Sequence, residues 1–348
     1  MVWLARVAGG MLVGLLCWTL VLDADAAQGD RRGWGWLIER LVADGVPSAH
    51  VEAVFLDPRV EPFDGLRFSL RPRESAALYR AHLTRDSVER ARRCRETHRQ
   101  TLDAAAAEHG VPAEVLAALV HVESACGRNT GARPIVPALG RLAMAASPAT
   151  LLENIAWHTA GLAGPERVEV EARTRARAAR LDEMFYPEVV AAFEVARRLG
   201  VHPLALRGSS AGAFGMPQFL PRSYLRYGTD GDGDGVIDLD EPADAIHSAA
   251  RYLAAHGWRP GISRAAQRDV MWAYNRSEAY IDAVLGLADR LAGGALPTEQ
   301  PVTRSERGRS RPRTVAARRL PPVSSPRTAL RKSTKRKAPS RGARAAGG

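Results

Sequence analysis

Apolar residues recur along this chain at helical spacing, while the strict alternation of a half-buried strand is scarce. The pattern predicts helices over 34–42 and 48–55, interrupted by Gly45 and Pro47. A long polar–apolar helix is expected over 75–108, ended by Gly110-Val111-Pro112. Pro112 suits the first turn of the next helix, which should run to about Cys126 with Gly127 as its cap. Residues 133–148 read as a connecting loop followed by a short helix, and 166–199 as a helix kinked at Pro187. A glycine-rich segment and an acidic loop come next, followed by helices at roughly 242–255 and 265–291. Strands are expected only as short pieces near 67–70 and 236–239, and no solenoid period repeats. The predicted class is mostly α (α+β).

Composition changes that picture at both ends. The chain is 46% hydrophobic and 25% charged over 348 residues, which suits a folded body with a substantial core. Its net charge of +11 is held unevenly, because residues 301–348 carry fifteen Lys or Arg against one acid, Glu306. The body is slightly acidic, and the arm 295–348 is Arg-, Pro- and Ser-rich without aromatics. Such a segment is expected to be disordered, since it cannot bury enough surface to offset its ordering entropy. At the other end Arg6 precedes an apolar run over 7–22 that is short for a bilayer, and Ala24-Asp25-Ala26 offers small residues for cleavage. We read 1–26 as an export signal and 27–294 as the body, the alternative being an uncleaved anchor. Removal of the signal leaves Cys94 and Cys126, an even pair that permits one disulfide or two buried thiols.

Two motifs carry candidate chemistry. In the helix after Pro112, Leu116, Leu119, Val120 and Glu123 fall on one face, so Glu123 projects where an apolar side chain is expected. A carboxylate placed there loses hydration, and that favours the protonated form which a general acid needs. Pattern alone favours a plainer reading, an edge residue paired with Arg128 or another base. The second motif is DGDGDGVIDLDE at 230–241, a full match to the calcium-loop template. Asp230, Asp232 and Asp234 take its first, third and fifth positions, and Gly235 makes its sharp turn. Val236 offers a carbonyl, Asp238 the ninth position and Glu241 the bidentate carboxylate. A solvated acidic turn is the alternative. Pro242 opens the next helix immediately, so a structural calcium is expected rather than a sensor.

Between these motifs lies GSSAGAFGMPQFLPRSYLRYG at 208–228, and here the chain resembles the lytic murein transglycosylase B family. The resemblance covers roughly 35–291 and rests on five blocks in the family's order. These are VESACGRNTG, SSAGAFGMPQFLPRSY, the DGDGDG loop, ADAIHSAARYLAAHGW and YNRSEAY. It implies a lysozyme-like catalytic core with an EF-hand-like calcium loop, acting on peptidoglycan in the periplasm or cell envelope. It also implies that Glu123 is the catalytic acid and base, and that Ser209, Gln218, Tyr252, Tyr274, Asn275 and Tyr280 line the substrate groove. Gly212 and Gly215 would let backbone approach a bound sugar. The chain departs from the family at Ser124-Ala125-Cys126, where an aromatic commonly follows the glutamate, and in the Arg-rich run RTRARAAR at 173–180.

The activity so implied is lytic cleavage of the β-1,4 bond between N-acetylmuramic acid and N-acetylglucosamine, giving 1,6-anhydromuramoyl ends. A muramidase-type hydrolase and a non-catalytic glycan-binding protein are the alternatives. The basic arm would bind anionic wall polymer or lipid headgroups. Export and the absence of aromatics in the arm argue against nucleic acid as its partner.

Overall fold

A computed structural model describes residues 31–71 and 76–293. The expected signal and basic arm lie outside the described residues. The chain opens with α1 (Gly35–Ala43) and α2 (Ser48–Phe55), whose Leu37, Ile38, Leu41, Val51 and Phe55 are fully buried. The long helix expected over 75–108 is instead three: α3 (Ala76–Arg80), α4 (Arg85–Thr97) and α5 (Arg99–His109). It breaks at Thr84, whose backbone is extended, and at His98.

The central element is α6 (Ala113–Ser124), which is buried nearly all round from Val115 to His121. A helix apolar on every side belongs in the middle of a domain. Helix α4, α5 and the last helix of the body all pack on it. Next come β1 (Arg133–Pro134), α7 (Ile135–Ala143), α8 (Pro148–His158) and α9 (Gly164–Arg198). Helix α9 runs unbroken past Pro187 and packs along α7, α8 and α10 (Pro221–Tyr227). It also anchors α1, since Arg40 makes a two-pronged ion pair with Asp182 and Tyr186 donates to Asp44 at 2.7 Å.

The strands expected at 67–70 and 236–239 do not form. Among the described residues the paired strands are β1 and β2 (Arg207–Gly208), antiparallel, with Arg133 opposite Gly208, beside an isolated bridge between Phe214 and Phe219. Helix α11 (Pro242–Ala255) has the expected bounds. The expected 265–291 helix is split into α12 (Arg264–Tyr274) and α13 (Glu278–Leu291) by an extended link at Asn275 and Ser277. No single helix among the described residues is long and apolar enough to cross a membrane.

Candidate active site

Helix α6 ends one residue after Glu123. Leu116, Leu119 and Val120 are fully buried, and Glu123, next on that stripe, is half-buried at the core's edge. The partial negative charge of a helix C-terminus disfavours an anion there. Tyr280, 1% exposed on α13, offsets this by donating its hydroxyl to Glu123 Oε1 at 2.5 Å. Burial first, and the Glu123 charge second, push the Tyr280 and Tyr274 phenols well above their ordinary range, so both keep their protons. The Tyr274 ring lies parallel to that of Tyr280 with centroids 6.3 Å apart, and Tyr79 meets Tyr280 edge-on.

After Ser124 the chain turns sharply through Ala125 (φ 52), Cys126 (φ 60) and Gly127 (φ 77), three left-handed residues in a row. For the first two this costs roughly 1–2 kcal/mol each. The turn is closed by hydrogen bonds from Ala125 N to His121 O, from Cys126 N to Val120 O and from Gly127 N to Ser124 Oγ, and Arg128 Nε adds one to Ala125 O. A disulfide from Cys126 to Cys94 on α4, with Cα atoms 6.2 Å apart, settles the cysteine question and pins the turn.

A cavity of about 320 Å³ opens against Glu123, lined also by His82, Ser87, Arg90, His121 and Asn129. Burial, ahead of the charges of His82, Arg90 and Arg128, lowers His121 to about 4, so its ring is neutral at neutral pH and shares a 2.9 Å hydrogen bond with Ser87. A wider cleft of about 600 Å³ lies elsewhere, beside Trp36, Phe63, Leu152 and Glu153, and holds none of the sequence-predicted site residues.

The remaining sequence candidates divide. Tyr252 meets the Tyr274 ring edge-on, 4.8 Å between centroids, and donates to Ala273 O, so Tyr252, Tyr274 and Tyr280 form a row ending at Glu123. Tyr274 donates in turn to Pro217 O at 2.5 Å. Gln218 adopts a left-handed backbone (φ 49) and donates its amide to Thr130 O and Gly215 O. Ser209 is engaged in its own turn, its Oγ accepting from Ala211 N and Ala213 N. Asn275 is the residue at which α12 stops.

Gly212 and Gly215 are crowded from within the protein. A Cβ on Gly212 would stand 2.2 Å from Leu139 Cδ2, and one on Gly215 2.3 Å from Leu239 Cβ. What approaches these positions is the protein's own core. Met216 N donates to Leu239 O at 2.7 Å, so the glycine-rich segment is clasped to the acidic loop.

In that loop Gly235 has the positive φ (88) its place demands. One oxygen each from Asp230, Asp232 and Asp244 lie within 4.8 Å of one another. Glu241, the expected bidentate acid, is not in this group and is instead the exposed residue preceding α11. Because Pro242 opens the helix at once, its first turn carries Asp244 back over the loop. Asp244, 2% exposed, accepts from Gly231 N at 2.7 Å and Asp238 N at 2.6 Å. Burial, with the charges of Asp232 and Asp230 adding to it, pushes its carboxyl up. Asp234 and Asp238 accept from Val236 N and Asp240 N, and Val236 is exposed. Sequence reading missed Asp244 by holding to the twelve-residue template.

The family described as the transglycosylase SLT domain matches residues 31–270. Over 153 residues the chain is 37% identical to the membrane-bound lytic murein transglycosylase B of Escherichia coli K12. That match covers 44% of this chain and 34% of the relative, so the chain spans about a third of the length of the curated relative it matches. Among solved structures, soluble lytic transglycosylase SltB1 of Pseudomonas aeruginosa superimposes with a TM-score of 0.54 at 25% identity, covering 74% of this chain and 97% of that one. The Escherichia coli lytic transglycosylase Slt35, solved in complex with calcium, gives 0.53 at 24% identity over 74% and 92%. The matched stretch runs from α1 into α12 and contains Glu123, the glycine-rich segment and the acidic loop, and the chain belongs to the transglycosylase SLT domain family.

Proposed function

We propose that the protein is a lytic transglycosylase of peptidoglycan, working in the cell envelope with Glu123 as acid and then base. The observation that carries this reading is a carboxyl held by a buried phenol at the rim of a cavity in which, among the described lining residues, Glu123 is the one acid. Two-carboxylate glycosidases need a second acid across the bond, whereas substrate-assisted ones do not. In the proposed reaction Glu123 donates its proton to the glycosidic oxygen as the C1–O bond breaks, and the substrate's acetamido oxygen supports C1. The ionised Glu123 then takes the proton of the muramoyl C6 hydroxyl, whose oxygen bonds to C1. No water is consumed. Mass spectrometry of the sugars released from peptidoglycan tests this: anhydromuramoyl ends support it, and reducing ends would make the enzyme a hydrolase.

Tyr280 is a positioning residue in this scheme. In Tyr280→Phe the hydrogen bond to a charged acceptor is gone, and we expect kcat to fall about 10–100-fold with KM little changed. An unchanged kcat would show that packing alone sets the carboxyl.

We propose further that the acidic loop binds calcium. Three carboxylate oxygens within 4.8 Å of one another, one of them from a buried aspartate, form a hard-oxygen site whose mutual repulsion a divalent cation would relieve. When bound, the ion would be held by Asp230, Asp232 and Asp244 and would supply structure to the loop that clasps Met216. Chelation at calcium about 100-fold above Kd is expected to lower the melting temperature by roughly 5–10 °C. Asp244→Asn should abolish that difference, and equal melting with and without chelator would exclude the ion. The arm 295–348 is proposed to hold the enzyme on anionic wall polymer or headgroups.

A further inference from the structure

A second group of ligand-type side chains lies where α5 ends against α11. Glu108 and His109 are the last two residues of α5, and His247 sits on α11, one turn beyond Asp244. His247 Nδ1 is 3.1 Å from Glu108 Oε2, and His109 Nε2 is 3.5 Å from Glu108 Oε1. The two imidazoles meet edge to face with centroids 5.8 Å apart, and one ligand atom from each of the three residues lies within 4.8 Å of the others. His109 Nε2 is buried and has no hydrogen-bond partner, although such atoms are rarely left unsatisfied. The histidine side chains are 14% and 9% exposed while that of Glu108 is 57% exposed, so the group is sheltered on two sides and open on the third.

We propose that Glu108, His109 and His247 form a transition-metal site, apart from the acidic loop, that takes zinc or a similar borderline divalent ion. Two imidazole nitrogens and one carboxylate are a zinc donor set, and a water from the open side completes the tetrahedron. Hard calcium prefers six to eight oxygens and would not select it. Arg251, whose charge acts on His109, turns its guanidinium to the Gly228 carbonyl at 3.2 Å. The ion would staple the end of α5 to α11. Gly110 (φ 70), just past that end, turns the chain under Pro260 into the helix that carries Glu123.

The test uses the full protein purified without a polyhistidine tag, with calcium saturating throughout so that the acidic loop is occupied. Zinc titration by calorimetry should show one tight site per chain. Cobalt in its place should give the visible absorption of a tetrahedral centre. Glu108→Gln and His247→Asn should each weaken zinc binding by at least about 10–100-fold, the loss that even an outer-shell change produces. Should the buried His247 variant fail to fold, Glu108→Gln, at an exposed position, decides alone. Absence of a tight site in the parent protein, or zinc affinity unchanged in Glu108→Gln, would leave an ordinary Glu108–His247 ion pair and overturn the proposal.

Discussion

Replacing Glu123 with Gln is expected to cut turnover of peptidoglycan by about 10³-fold or more while leaving the melting temperature in place. The amide has the shape of the carboxyl, and its oxygen still accepts the Tyr280 hydroxyl that reaches Oε1 at 2.5 Å. In the proposed reaction only proton transfer is lost, and one residue serves both transfers, so both steps fail together. Glu123→Asp separates chemistry from placement. It keeps the acid but withdraws it by one methylene, and a misplacement of about 1 Å is expected to cost roughly 10²-fold. Turnover in Glu123→Gln above a tenth of the parent's would mean that another group carries the proton.

The disulfide should have the largest effect on stability. It joins Cys94 to Cys126 across a sequence separation of 32, and a loop of that length confines the unfolded chain by about 3–4 kcal/mol. Reduction, or the Cys94→Ala/Cys126→Ala double variant, is expected to lower the melting temperature by about 10 °C. An effect on catalysis should accompany it. Ala125 and Cys126 hold left-handed backbones that L residues rarely adopt, and the cross-link to α4 helps keep them there. Released from it, the turn after Glu123 can relax and the carboxyl lose its register with Tyr280. Equal melting of the oxidised and reduced protein would show that hydrogen bonding closes the turn unaided.

Features encoded locally were legible in the sequence. Helices α2 and α11 have the expected bounds because Pro47 and Pro242 punctuate their starts. The helix bearing Glu123 is legible from its apolar stripe, although that stripe is part of an all-round buried surface. Features set by partners far along the chain were not legible. The breaks at Thr84 and His98 contain neither glycine nor proline; the segments they separate pack on different partners, α3 on α13, α4 on α6 and α13, and α5 on α6 and α11. The break before α13 did have a local sign, Ser277, whose Oγ accepts from Tyr280 N. The strands Arg133–Pro134 and Arg207–Gly208 have no strand propensity and exist because two distant segments meet. Gly212 and Gly215 stand out in the sequence as positions for close approach, but their neighbours in the core, Leu139 and Leu239, are invisible in one dimension. Family resemblance marked Tyr280 as a groove residue; its buried bond to Glu123 needed the fold.

Glu123 and Tyr280 are 157 residues apart. A ribosome adding about 5–20 residues per second makes the second of them roughly 8–30 s after the first. Throughout that interval the nascent chain owns the carboxyl without the phenol that sets it. A product cut short anywhere before α13 stays in that condition for good. The hydrogen bond that holds the Glu123 carboxyl therefore forms only once the last helix of the body has been made.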